Sequence, residues 1–129
     1  MVRAAASFGL RARHYVVATA AGSLYRIGAW LRSDDPGLMI CLRIQELSPR
    51  TSEPPVRTSE SCVASTASWR HIRVFRRTMA PGNRLVFSIY SSSNVTGESF
   101  EIDRFRVQVR VKREWKRVHA AFGNAPALG

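Results

Sequence analysis

Three tryptophans, three histidines, two cysteines and nine carboxylates are the groups in this 129-residue chain that could do chemistry. The carboxylates nearest one another along the chain are Asp34, Asp35, Glu46, Glu98, Glu101 and Asp103. Paired-acid hydrolysis needs two carboxylates held about 5–10 Å apart across a cleft, and nothing in this spacing fixes such a pair. Asp34 and Asp35 precede Pro36 and Gly37, so turn chemistry accounts for them. No G-x-S-x-G, P-loop or H-E-x-x-H motif occurs, and no catalytic residue is assigned. His14, His71 and His119 lie far apart, and two isolated cysteines do not make a zinc site. Cys41 and Cys62 allow one disulfide, but sequence alone does not show that they meet. The chemistry that remains is contact. Trp30 falls on the strand face opposite Tyr25 and Ile27, between Arg26 and Arg32, and offers a flat ring for stacking. Tyr90 has the same outward parity in its own strand. Arg43, Gln45 and Glu101 supply polar contacts if their strands share that face.

Charge is the second signal. The net charge is +11, and Lys112 and Lys116 are the only lysines, so nearly all of it is arginine. Such a balance suits nucleic acid or another anionic polymer, with Arg26, Arg32, Arg70, Arg73, Arg76 and the tail Arg110 to Arg117 as the contacts. The competing reading is a set of solvated faces, because the arginines are scattered along the chain. Hydrophobic residues make up 45% and charged residues 22%, enough for one domain with a real core. No apolar run reaches the ~20 residues of a membrane span. Arg3, Arg11 and Arg13 around a thin Ala-rich stretch make a poor secretory signal.

The elements that must position these residues have period two. Leu24–Arg32 places Tyr25, Ile27, Ala29 and Leu31 on one face. Leu38 to Ile44 alternates again after the Asp34–Gly37 turn, which predicts a hairpin. The stretch 46–61 is rich in Ser, Thr, Pro and Glu and reads as a long loop inside the domain. Trp69 to Arg76 is a strand with Ile72 and Val74 inward, and Leu85 to Tyr90 is another with Leu85, Phe87 and Ile89 inward. Ser99 to Val109 changes parity between Ile102 and Phe105, which predicts a bulge near Asp103 and Arg104. Arg113 to Phe122 carries Trp115, Val118, Ala121 and Phe122 at helical spacing, and reads as a short basic C-terminal helix or a frayed tail. The pattern is all-β, an antiparallel β-sandwich. Residues 1–14 are expected to be poorly defined, 15–109 to form the sandwich, and 110–129 to be a basic tail.

Several fragments carry a resemblance in the right order. They are Ala21-Gly22 with Tyr25 to Ser33, Leu42 to Glu46, Ser68-Trp69 with Ile72 and Val74, and Gly97 with Phe100 to Asp103, Phe105 and Val107. Together they resemble carbohydrate-binding modules of the family 4 and 9 type, which are β-jelly-roll domains usually attached to secreted glycoside hydrolases. The resemblance covers about Tyr15 to Val109. It departs at Arg104, where the family has a second aspartate, and in having only about fourteen residues where opening strands are expected. It implies non-catalytic binding of a polysaccharide or oligosaccharide on one sheet face, targeting an associated catalytic domain, and an extracellular location. Trp30, Tyr90, Arg26, Arg32, Arg43, Gln45 and Glu101 are then the carbohydrate contacts. Trp69 belongs to the core or its rim. Asp103 matches an aspartate that helps hold a structural calcium in many members, but no cofactor is expected, because that ion's other ligands come mostly from the opening strands. The alternatives are the nucleic-acid or anionic-polymer binder and a structural β-sandwich without ligand.

Overall fold

The computed structural model describes residues 2–5, 8–12, 16–18, 20–35, 37–50, 54–91, 99–118 and 122–126. Alternating apolar residues build strands throughout these segments, and no helix forms among them, so none is long and apolar enough to cross a membrane. In chain order the strands are β1 (Val2–Ala5), β2 (Phe8–Ala12), β3 (Val16–Val17), β4 (Leu24–Arg32), β5 (Met39–Leu47), β6 (Arg57–Ala64), β7 (Arg70–Arg77), β8 (Arg84–Ser91), β9 (Ser99–Val111), β10 (Glu114–Val118) and β11 (Phe122–Pro126). The first sheet runs β1-β9-β4-β7, with β10 also paired to β9. The second runs β11-β2-β8-β5-β6, with β3 also paired to β8. All pairings are antiparallel.

The inward sets read from the sequence meet between the sheets. Ile27, Ala29 and Leu31 of β4 and Phe100 and Ile102 of β9 pack against Ile40, Leu42 and Ile44 of β5 and Leu85, Phe87 and Ile89 of β8. Each of these except Ala29 contributes about 1.5–3 kcal/mol when fully buried. Glu46 continues the inward parity of β5 and is fully buried at the end of this core. Its carboxylate accepts hydrogen bonds from Met79 N at 2.8 Å and Asn83 Nδ2 at 2.7 Å, and it pairs with Arg76 Nε at 3.4 Å. A buried charge held this way fixes the β7–β8 connection against the end of β5. The same connection turns at Gly82, whose φ of 85° favours glycine.

The bulge is where the parity change puts it. The pairing of β4 with β9 shifts register between Gly28 and Trp30, and Arg104 has φ 54°.

Four expectations need correction. β4 and β5 do not form a hairpin; they lie in different sheets, and the Asp34–Gly37 segment crosses between them. Alternation says which side chains face the core, not which sheet supplies the strand, and two facing strands satisfy it as well as two paired ones. The loop expected over 46–61 is shorter, because β5 runs to Leu47 and β6 begins at Arg57. β6 is an edge strand, so its polar residues, which read as loop, stay solvated. The C-terminal helix is instead a strand. β10 pairs with β9 from Glu114↔Val111 to Val118↔Val107. Its turn is hidden in the sequence because Lys112 and Arg113, not Gly or Asn, take the positive φ values of 49° and 69°. The fourth concerns the first fourteen residues. Within them, Val2–Ala5 forms β1 in the first sheet and Phe8–Ala12 forms β2 in the second.

Candidate functional site

The outer face of the first sheet gathers side chains from four strands. β4 presents Arg26, Trp30 and Arg32. β7 presents His71, Arg73 and Phe75, which stand opposite Trp30, Gly28 and Arg26. β9 presents Asp103, Arg106 and Gln108 opposite Trp30, Gly28 and Arg26 from the other side. β10 adds Trp115. Trp30 is 38% exposed and meets His71 edge-on, with ring centroids 5.0 Å apart. Arg26 stacks 4.0 Å above the Trp115 ring and donates from Nε to Gln108 Oε1 at 2.8 Å. Phe75 lies 6.1 Å from Trp115. At the opposite end Arg32 lies 5.8 Å from the ring of Trp69, which is 37% exposed. Of the two places expected for Trp69, the core or its rim, it takes the rim. It precedes β7, and the chain has not yet entered the sheet at that residue.

Two depressions open beside Trp30. One of about 430 Å³ is lined by Trp30, His71, Arg73, Arg104 and Arg106. The other, of about 210 Å³, is lined by Trp30, Trp69, Asp103 and Arg104. Trp30 and Arg104 border both, and the Arg104 backbone in the bulge turns its side chain toward them. Gly28 makes the floor low. A Cβ there would stand 3.4 Å from the His71 ring. Burial, then the charges of Arg73 and Arg26, hold the His71 pKa below its ordinary value, so this ring stays neutral at neutral pH.

The expected contacts divide between the two sides of the sandwich. Arg26, Trp30, Arg32 and Glu101 share the outer face of the first sheet. Glu101 is occupied there, with Oε2 3.4 Å from Arg32 Nε. Tyr90, Arg43 and Gln45 lie on the outer face of the second sheet, since Cys41 is opposite Tyr90 and Arg43 opposite Ser88. They cannot join Trp30 in one site. Tyr90 and Arg43 are also buried, at 6% and 8% exposure. The Tyr90 hydroxyl donates to Glu60 Oε2 at 2.5 Å, and Arg43 lies 4.8 Å over the Tyr90 ring. Burial, then the Glu60 hydrogen bond and charge, push the Tyr90 pKa to about 12, against an opposing pull from Arg43. Cys41 and Cys62 stand directly opposite on β5 and β6 and form a disulfide, so the question the sequence leaves open is answered by strand pairing.

Asp103, the position matched to a structural calcium, lies on the outer face opposite Trp30. It borders a depression with Trp30, Trp69 and Arg104, and belongs to no cluster of three potential metal ligands among the described residues. Two neighbouring carboxylates are engaged within the scaffold. Asp35 Oδ2 accepts from Ser99 N at 2.8 Å, and Asp34 Oδ1 pairs with Arg32 at 3.2 Å. Glu98 lies outside the described residues.

Sequence reasoning missed Trp115, which it put on a helix, and Arg104 and Arg106. The parity change in β9 was the signal for both arginines. His71, Arg73 and Phe75 follow directly from taking Ile72 and Val74 as inward.

No family model matches the sequence, and no curated protein does. Solved structures do match. One is TmCBM61 in complex with β-1,4-galactotriose, at TM-score 0.52 and 17% identity, covering 80% of this chain and 65% of that one. Another is a CBM4 structure, at TM-score 0.52 and 13% identity, covering 75% of this chain and 59% of that one. The chain therefore spans less than two thirds of the length of either. At these identities the likeness establishes architecture, and the chain has the antiparallel jelly-roll β-sandwich fold of the carbohydrate-binding modules.

Proposed function

We propose that this protein is a non-catalytic carbohydrate-binding module that holds a polysaccharide or oligosaccharide on the outer face of its first sheet, centred on Trp30. The observation that carries this reading is the exposed Trp30 ring bordering two adjoining depressions, with the Trp69 ring at the far side of one. Sugar rings present C–H faces that stack on indole, while their hydroxyls take hydrogen bonds from flanking side chains. The fold likeness to a galactotriose-binding module supports the ligand class. Such a module raises the local concentration of a linked glycoside hydrolase at its substrate. The Cys41–Cys62 disulfide suits an oxidising, extracellular setting.

A nucleic-acid binder is the second reading, favoured by the +11 charge. Part of its contact set is already engaged. Arg76 is held by the buried Glu46, and Arg70 donates to Ala64 O at 3.0 Å.

The test is binding to a panel of soluble and insoluble polysaccharides and to single-stranded DNA, at low and high salt, with Trp30→Ala beside the parent. Glycan binding that Trp30→Ala abolishes is the expected result. Binding to DNA alone, collapsing with salt and indifferent to Trp30→Ala, overturns the proposal.

A further inference from the structure

On that carbohydrate reading, we infer that the glycan accepted beside Trp30 is anionic, with carboxylate or sulfate groups seated against Arg73, Arg104 and Arg106. These three arginines line the larger depression together with Trp30 and His71, and no carboxylate lines it. Their situation differs from that of Arg26, Arg32 and Arg77 on the same face. Arg26 is bonded to Gln108, Arg32 is paired with Glu101 and Asp34, and Arg77 donates to Gly22 O at 2.8 Å. Among the described residues, Arg73, Arg104 and Arg106 make no hydrogen bond or ion pair.

The hydrogen-bonding chemistry of the pocket is one-sided. Guanidinium offers five N–H donors and no acceptor. A neutral sugar hydroxyl both donates and accepts, and sites for neutral sugars need acceptors. Among the side chains lining this depression only neutral His71 offers one; the Asp103 carboxylate borders the adjoining, smaller depression. A carboxylate or sulfate is acceptor-only and takes the arginine fork bidentately, so it complements the lining group for group. The charges also oppose one another while the pocket is empty. Arg73 lowers the pKa of both His71 and Arg26, behind burial, as like charges do. An anion among the three arginines relieves that repulsion. The basic character continues along the same face, where Arg77, Arg110 and Arg113 line a further depression of about 440 Å³ at the start of β4. A polymer carrying a charge on successive residues would run along β4 over both.

The experiment titrates the full chain by calorimetry with polygalacturonate, with the same polymer fully methyl-esterified, with a sulfated galactan, and with single-stranded DNA. Each is measured for the parent, Trp30→Ala, and the pair Arg73→Gln with Arg106→Gln. Arg104 is left in place because its φ of 54° makes its backbone part of the bulge. The expected result is at least tenfold tighter binding of the acidic polymer than of its ester, a gap that the arginine pair closes and added salt narrows. Trp30→Ala should lose both polymers. Comparable affinity for the sulfated galactan assigns the site to anionic glycans at large, and preference for the uronate assigns it to carboxylates. Equal affinity for polygalacturonate and its ester overturns the anionic inference while leaving the carbohydrate reading intact. Binding to DNA and to no glycan overturns both.

Discussion

The two outer faces of the sandwich are built from the same alternation and come to opposite ends. The second sheet carries Arg43, Glu60 and Tyr90, charges of both signs around a ring. They close on one another, and Tyr90 and Arg43 are buried. The first sheet carries Trp30, His71, Arg73, Arg104 and Arg106 around its larger depression, charges of one sign around aromatic rings. Like charges cannot neutralise each other, so this depression stays open while Glu101 closes with Arg32 further along the face. A face with complementary groups stabilises its own fold. Around the depression beside Trp30, where the arginines face no carboxylate, the proposed ligand would supply the missing charge.

Substitutions on the two faces should therefore read out in different experiments. The largest effect is expected at Tyr90. Tyr90→Ala removes a buried ring and its hydrogen bond to Glu60, and should lower unfolding free energy by about 3 kcal/mol in urea titration. Glycan affinity of the folded fraction should not change. A large loss of affinity with stability intact would move the site to the second sheet. Reducing the disulfide comes next. Cys41 and Cys62 are 21 residues apart, and a loop of that length implies a loss of about 3 kcal/mol for Cys41→Ser with Cys62→Ser. Binding at Trp30 should again be unaffected.

Trp30→Ala should behave in reverse. Truncating a central stacking residue typically costs about 2 kcal/mol of binding, roughly thirtyfold, while a surface change leaves stability within about 0.5 kcal/mol. An equal loss of stability would show the ring to be part of the scaffold. The smallest effect is in pH. The Tyr90 pKa is raised to about 12 from 10, so its contribution to stability is complete below pH 10 and is lost as pH rises from 10 to 12. Comparing denaturant midpoints of the parent and Tyr90→Phe over that window should show the two curves converging. Parallel curves would mean that the phenol is not held by burial and Glu60.

Much of this was legible along the chain. Leu85, Phe87 and Ile89, and Ile27 with Leu31, announce their buried faces by period two, and the parity break after Ile102 announces the bulge at Arg104. The β9–β10 turn was not legible, because Lys112 and Arg113 take a conformation that composition does not advertise. Trp115 was lost with it. Trp69 was legible only as core or rim, and its place just before β7 puts it on the rim.

Local pattern determined which residues face inward, since burying apolar side chains at period two depends only on the strand itself. It determined the fold class and the basic, aromatic character of the surface for the same reason. Which strands share a sheet is a matter of long-range pairing, and the β4–β5 crossover, the meeting of Cys41 with Cys62 and the separation of Tyr90 from Trp30 were settled there. A site is a set of side chains on one face. Parity places each residue on a face of its own strand, and only the assembly of strands from opposite ends of the chain decides which faces are the same one.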